Sequence, residues 1–274
     1  TVNIMDTTNI TPAHILVTND DGVTAPGLLA LAQEMSRLGR VSVLAPDHNW
    51  SSSGHVKTLH RPLRVKEVEL EDGTQALTSD GAPSDCVSLA VLGLLDPVDL
   101  VVSGINPNAN LGHDVTYSGT VTAAMEAVIW EIPGLAVSLD AAENHLGKLD
   151  YGPAAAVAGR VAEKMLAGEL PLDVVYNLNV PNLDRQEMKG IQVTRQGLRE
   201  YRDELVTRKD PRGTPYYWIG GEPPTGAPDQ GTDIGALAAG YASLTPLQLD
   251  LTADDVLPGL RQRLEKEHDQ LFRP

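Results

Sequence analysis

"ILVTNDDGVTAPGLLALAQEMSRLGRVSVLA", residues 15–45, decides the fold. It opens on an apolar run, Ile15-Leu16-Val17, turns through Asn19-Asp20-Asp21-Gly22, and then places Leu28, Leu31, Met35 and Leu38 at helical spacing. A second β-rich run follows at 41–45 (VSVLA). Strand, helix and strand within so short a stretch is the crossover unit of a parallel sheet.

The same alternation continues along the chain. Strand-like runs stand at 98–104, 135–139 and 173–180. Helical patterns occupy 84–95 (Val87, Val91, Leu94, Leu95), 119–130 (Val121, Met125, Val128, Ile129) and 153–167 (Val157, Val161, Met165). Unbroken apolar strands fit a sheet covered on both faces. The pattern therefore predicts a doubly wound, mostly parallel α/β fold. A strand pair is expected at 62–70 and 74–79 around "EDGT". Beyond residue 181 the periodic segments become sparse. A strand at 191–195, a Gly- and Pro-dense stretch at 208–232 and a charged helix at 258–273 suggest a hairpin or arm that packs on another subunit. The division is a flexible leader over 1–13, a catalytic core over 14–181 and an extension over 182–274.

Composition narrows the partners. Lys plus Arg number 21 against 37 Asp plus Glu, a formal charge of −16, which repels nucleic-acid polymers and anionic lipid. An anionic ligand then needs a local positive device, a metal or a helix N-terminus. A single cysteine, Cys86, excludes an internal disulfide framework and fits a reducing compartment; within an apolar helical pattern it reads as a buried, inert thiol. No membrane span or secretory signal is visible, so a cytoplasmic protein is expected.

Ligands of an open parallel sheet bind beyond the carboxyl ends of its strands. "TNDDG", "PDHNWSSSGH", "SGINPNANLGHD" and "YSGT" all fall at such ends or at the helix start that follows. Asp20 and Asp21 fit two descriptions. They are ordinary turn and cap residues before Gly22, or carboxylates that need a divalent cation as counter-charge, with Ser51 and Asn106 completing a hard-oxygen shell. Ser118, Gly119 and Thr120 are either a plain N-cap or an anion site. Asn106, Asn108 and Asn110 are turn formers or ligand contacts. His55 and His113 are nearby candidates for acid or base, and Trp50, Tyr117 or the "YYW" at 216–218 for packing or for stacking on a base.

Taken in order, "ILVTNDDGVTAPGLLALA", "VLAPDHNWSSSGH", "GAPSDCVSLA", "DLVVSGINPNANLGHD" and "YSGTVTAAMEA" closely resemble the SurE (survival protein E) family of metal-dependent nucleotide phosphatases. The likeness runs from about residue 14 to 140 and continues more weakly through "NLNVP" and "GYASLTPL". It implies a Rossmann-like core and a C-terminal β-hairpin and helical arm that assembles homodimers or homotetramers. It also implies a phosphomonoesterase acting on nucleoside 5′- and 3′-monophosphates, in some members also on short polyphosphate. By the resemblance, one Mg²⁺ or Mn²⁺ per subunit is held by Asp20, Asp21, Ser51 and Asn106, and phosphate is contacted by Asn110, Ser118, Gly119 and Thr120. The chain departs from the family at Asn108, where glycine is usual; asparagine is among the residues that tolerate left-handed backbone angles.

The expected chemistry is attack by metal-activated water, with Asp20 or Asp21 as base. An aspartyl-phosphate enzyme of the haloacid dehalogenase type would need Asp where Asn19 stands, and a neutral amide is no nucleophile. A nicotinamide dehydrogenase would need a GxGxxG after the first strand, which is missing. A non-catalytic metal or nucleotide sensor would use the same residues as the phosphatase.

Overall fold

The structure is a computed structural model and describes residues 12–141, 145 and 147–271. The expected leader falls outside the described residues up to Thr11.

The opening stretch folds as its pattern predicts. β1 (His14–Thr18) leads through the Asp20–Asp21 turn into α1 (Pro26–Met35) and then into β2 (Arg40–Pro46), which pairs parallel with β1. Successive strand side chains point to opposite faces. Ile15 and Val17 accordingly join one apolar cluster with Leu28, Leu31 and Met35 of α1, while Leu16 joins another with Leu44 and Cys86. Both faces of β1 are covered.

The hairpin β3 (Val65–Glu69) and β4 (Gln75–Ser79) adds to the β2 side, with β4 parallel to β2. α2 (Pro83–Leu89) then returns the chain under the sheet to β5 (Leu100–Asn106), parallel to β1 on its other side. The helix expected over 84–95 stops at Leu89 and passes into a π turn at Ala90–Leu94. Apolar spacing over so short a run cannot separate an i+4 from an i+5 ladder, and here Leu92 and Leu94 face outward. α3 (Gly119–Ile129), β6 (Gly134–Asp140), α4 (Gly152–Leu166) and β7 (Val175–Pro181) continue the parallel winding. α1 packs against α4 on one face and α2 against α3 on the other.

The last part of the chain divides. β8 (Ile191–Val193) and, after α5 (Asp233–Ala238), β11 (Ala242–Leu247) rejoin the main sheet, whose order is β3-β4-β2-β1-β5-β6-β7-β11-β8. Pro246 masks β11 in the sequence because proline cannot donate to a ladder. β8 pairs only with Ala242–Leu244, so the missing N–H of Pro246 lies beyond that pairing. Between them β9 (Arg199–Lys209) and β10 (Pro215–Gly226) form a separate antiparallel hairpin, closed by Asp210 accepting from the amides of Arg212 and Thr214. Its surface carries Leu205, Tyr216, Tyr217, Trp218 and Ile219, all exposed. α6 (Leu257–Leu271) ends the described chain. No helix of the described residues is long and apolar enough to cross a membrane.

Candidate active site

The chain leaves β1 toward β2 on one side of the sheet and takes up β5 on the other. The switch between these directions opens a crevice beyond the carboxyl ends of β1 and β5. A cavity of about 340 Å³ lies there, with Asp20, Asp21, Ser51, Asn106, Asn110 and Ser118 on its walls. Residues from four separate stretches of sequence thus meet in one place.

Asn19 shapes the turn that presents the carboxylates. Its buried side chain accepts from the Gly22 amide at 3.2 Å and donates to the Gly22 carbonyl at 3.0 Å. The residue that stands where a phospho-aspartate enzyme would need a nucleophile is a structural clamp. Asp20 is 3% exposed and accepts from the Thr120 hydroxyl at 2.5 Å. Burial pushes its carboxyl above the ordinary value, against that bond and the amides of Gly119 and Thr120. Asp21 is pushed up to about 7, first by burial and then by the adjacent Asp20 charge. Its Oδ2 is buried with no hydrogen-bond partner among the described residues. An orphaned carboxylate oxygen beside a second carboxylate is an arrangement that a cation relieves.

Gly119 and Thr120 stand behind the cavity wall. Thr120 is fully buried with its hydroxyl turned to Asp20. A Cβ on Gly119 would lie 2.7 Å from the Asp20 Cβ and 3.0 Å from its Oδ2, so only glycine lets the start of α3 approach that carboxylate so closely. Ser118 caps α3 by accepting from the Val121 amide at 3.1 Å. Cap and cavity wall are the same residue.

The loop after β5 is held from below. Asn177 and Asn179 alternate with Leu178 on β7 and therefore share one face; both amides donate to the Asn110 carbonyl, and Asn179 Oδ1 accepts from the Asn110 amide at 2.7 Å. The Asn110 side chain donates to Ser138 on β6 at 2.8 Å. "NLN" in an otherwise apolar strand was the signal for these buried supports. Asn108 keeps a negative φ, so the left-handed tolerance that asparagine offers is not used. Its side chain instead donates to the Ala141 carbonyl at 3.3 Å, and its own carbonyl accepts from the Asn106 amide.

Tyr117, read from the sequence as a packing or stacking residue, stands on the same wall, and sequence reading missed Asp114 and Arg199 beside it. Arg199 begins β9, far along the chain, and nothing in "LREYRDE" marks it. His55 and His113 do not line this cavity; they border a larger, mainly apolar cleft with Met125, Ile129, Leu247 and Leu249. Cys86 is fully buried, and burial pushes its thiol up further, as befits an inert core residue.

His55 has a structural task. Glu126 on α3, 2% exposed, accepts from His55 at 2.8 Å, Lys57 at 2.9 Å, Ser88 at 2.6 Å and Trp130 at 2.9 Å. Burial raises its carboxyl, but these donors together outweigh it and hold the group well below the usual range. The loop that carries Ser51 is thereby fastened to α3, helped by the Gly54 amide donating to the Tyr117 carbonyl at 2.9 Å. Glu126→Gln is expected to lower stability by about 2 kcal/mol at pH 7, since Lys57 is half exposed and partly screened. A depressed carboxyl stabilises the fold above its unfolded pKa of about 4 and loses that contribution as pH falls through the folded value. The difference between the wild type and Glu126→Gln in urea unfolding therefore shrinks below about pH 4.

A mostly parallel α/β sheet with paired carboxylates, amides and hydroxyls gathered at its switch point defines a Rossmann-like protein with a polar ligand cleft. The family model described as "Survival protein SurE" matches residues 15–203. A protein of Chloroflexus aggregans named 5′-nucleotidase SurE is 52% identical over 250 residues, covering 91% of this chain and 98% of that protein. One of the same name from Herpetosiphon aurantiacus is 52% identical over 240 residues, 87% of this chain and 93% of its own length. The crystal structure of the SurE protein from Aquifex aeolicus superposes with a TM-score of 0.76 at 40% identity, covering 92% of this chain and 99% of that one. The chain belongs to the SurE family.

Proposed function

We propose that this protein is a metal-dependent nucleotidase that hydrolyses nucleoside 5′-monophosphates to nucleoside and phosphate. The observation that carries the reading is the single cavity in which Asp20, Asp21, Ser51 and Asn106 meet, with the orphaned Asp21 oxygen among them. The relatives named 5′-nucleotidase SurE support the substrate class.

The donor set fits a divalent cation of the Mg²⁺ or Mn²⁺ kind. It is all oxygen, it brings two adjacent carboxylates, and one of their oxygens lacks a partner among the described residues. Among the described residues no group of three or more His, Cys, Asp or Glu side chains gathers at one point, so softer clusters are not the pattern here. Asp20, Asp21, Ser51 and Asn106 would hold the ion, which when bound supplies Lewis-acid activation of water and of a phosphoryl oxygen. The residues do the rest. The α3 N-terminus, where Ser118 caps the Val121 amide and the amides of Gly119 and Thr120 turn to Asp20, lends its dipole to the cavity that Ser118 borders, and the Asn110 side chain, fixed by Ser138, borders the same space. Thr120 and the glycine at 119 keep Asp20 in register. The proton of the attacking water would pass to Asp20 or Asp21, the paired carboxylates on the cavity wall.

The exposed apolar surface of the β9–β10 hairpin supports its role as an assembly arm joining two or four subunits. Sedimentation velocity tests this part, and a monomer at micromolar concentration would remove it. For the activity, phosphate release over 5′- and 3′-mononucleotides and short polyphosphate is measured with Mg²⁺, Mn²⁺ or chelator. Release from 5′-monophosphates that chelator stops is the expected result; no release from any of them with either metal overturns the reading.

A further inference from the structure

The cavity wall holds three carboxylates, Asp20, Asp21 and Asp114, and a single basic residue, Arg199. In a chain of formal charge −16, that guanidinium is the one full positive charge on the wall that an incoming anion meets. Its side chain is 15% exposed, so it is largely withdrawn from water. It is also oriented. Nε donates to Asp114 Oδ2 at 2.6 Å, while Asp114 Oδ1 accepts from the Tyr201 hydroxyl at 2.6 Å. Both oxygens of Asp114 are therefore engaged.

Only Nε is committed in this arrangement. Among the described residues neither Nη group has a hydrogen-bond partner, which leaves the paired donors of the fork available on a guanidinium whose direction is already set. A planar pair of N–H donors matches two oxygens of a phosphoryl group. The alternative, a plain ion pair tying the hairpin to the core, explains the Nε contact but not the unused fork on a cavity wall.

We propose that Arg199 is a phosphate-binding residue of this cavity, its Nη groups meeting phosphoryl oxygens, and that Asp114 and Tyr201 are positioning residues that aim it. The inference rests on the phosphomonoesterase reading only for the identity of the anion. It also makes the first residue of the β9–β10 hairpin part of the site. The start of the arm then contributes to binding.

The test is calorimetric titration of inorganic phosphate, in Mg²⁺, into wild type, Arg199→Met and Arg199→Lys, with thermal melts of each and steady-state kinetics on a 5′-mononucleotide. Loss of a charge-assisted donor pair predicts phosphate binding weakened roughly tenfold to a hundredfold in Arg199→Met, partial recovery in Arg199→Lys, and a melting temperature within a few degrees of wild type. KM rises by a similar factor. Undiminished phosphate binding in Arg199→Met overturns the proposal. So does an equal loss in both variants accompanied by a lowered melting temperature, which marks a purely structural pair. If wild type binds phosphate but releases none from any nucleotide, the hydrolase reading fails while the titration still decides the role of Arg199.

Discussion

Asp21→Asn removes turnover and raises, or at least holds, the melting temperature in chelator. Activity is lost because one of two carboxylates in the proposed cation shell becomes a neutral amide, and metal binding weakens by roughly a hundredfold or more. Stability moves the other way because the native carboxyl is unfavourably placed: it is largely buried, lies beside Asp20, and has one oxygen without a partner. A carboxyl whose folded pKa, about 7, lies above its unfolded value costs stability as pH rises through that window, and an amide does not. The expected signature is turnover below detection with a melting temperature up by a few degrees at pH 8, where the carboxylate is charged. Full activity in the variant sinks the mechanism; inactivity with a collapsed melt shows only that Asp21 is structural. Asp20→Asn shares the catalytic loss, but its oxygen can still accept from Thr120, so its melt changes less.

Gly104→Ala is expected to be the most damaging single methyl in the core. Gly104 lies on β5 beside β6 with φ +139°, a region that side chains avoid. A Cβ there would sit 2.3 Å from the Val137 carbonyl oxygen, a backbone atom that cannot swing aside. Backbone strain and overpacking each cost on the order of 1–3 kcal/mol, so a loss of about 3 kcal/mol or more follows, roughly 6–12 °C in melting temperature. The ladder between β5 and β6 shifts register between Ser103 and Asn106, and Asn106 is the residue it delivers to the cavity. Activity in the folded fraction should therefore fall as well. A melt within a degree of wild type contradicts the argument.

Both predictions show how unevenly the site could be read in advance. The paired carboxylates, Ser51, Asn106, Asn110 and Ser118 were visible because polar clusters interrupted apolar strands at their carboxyl ends, and the fold brings these six to one cavity. Gly119 and Thr120 were visible too, yet the structure turns them toward Asp20 and away from the cavity. Glu126, Asn177 and Asn179 stand among apolar residues in the sequence, and only their partners give them a role.

Period and punctuation in the sequence determined the order of strands and helices through residue 181, because a covered parallel strand has to be apolar on both faces and a crossover helix on one. They also placed the carboxylates at a strand end. Side pairings across long separations were beyond them. Tertiary structure alone decided that β11, despite Pro246, returns to lie between β7 and β8, and that Arg199 reaches a cavity built around Asp20, because contacts between residues nearly 180 positions apart depend on topology and not on local pattern.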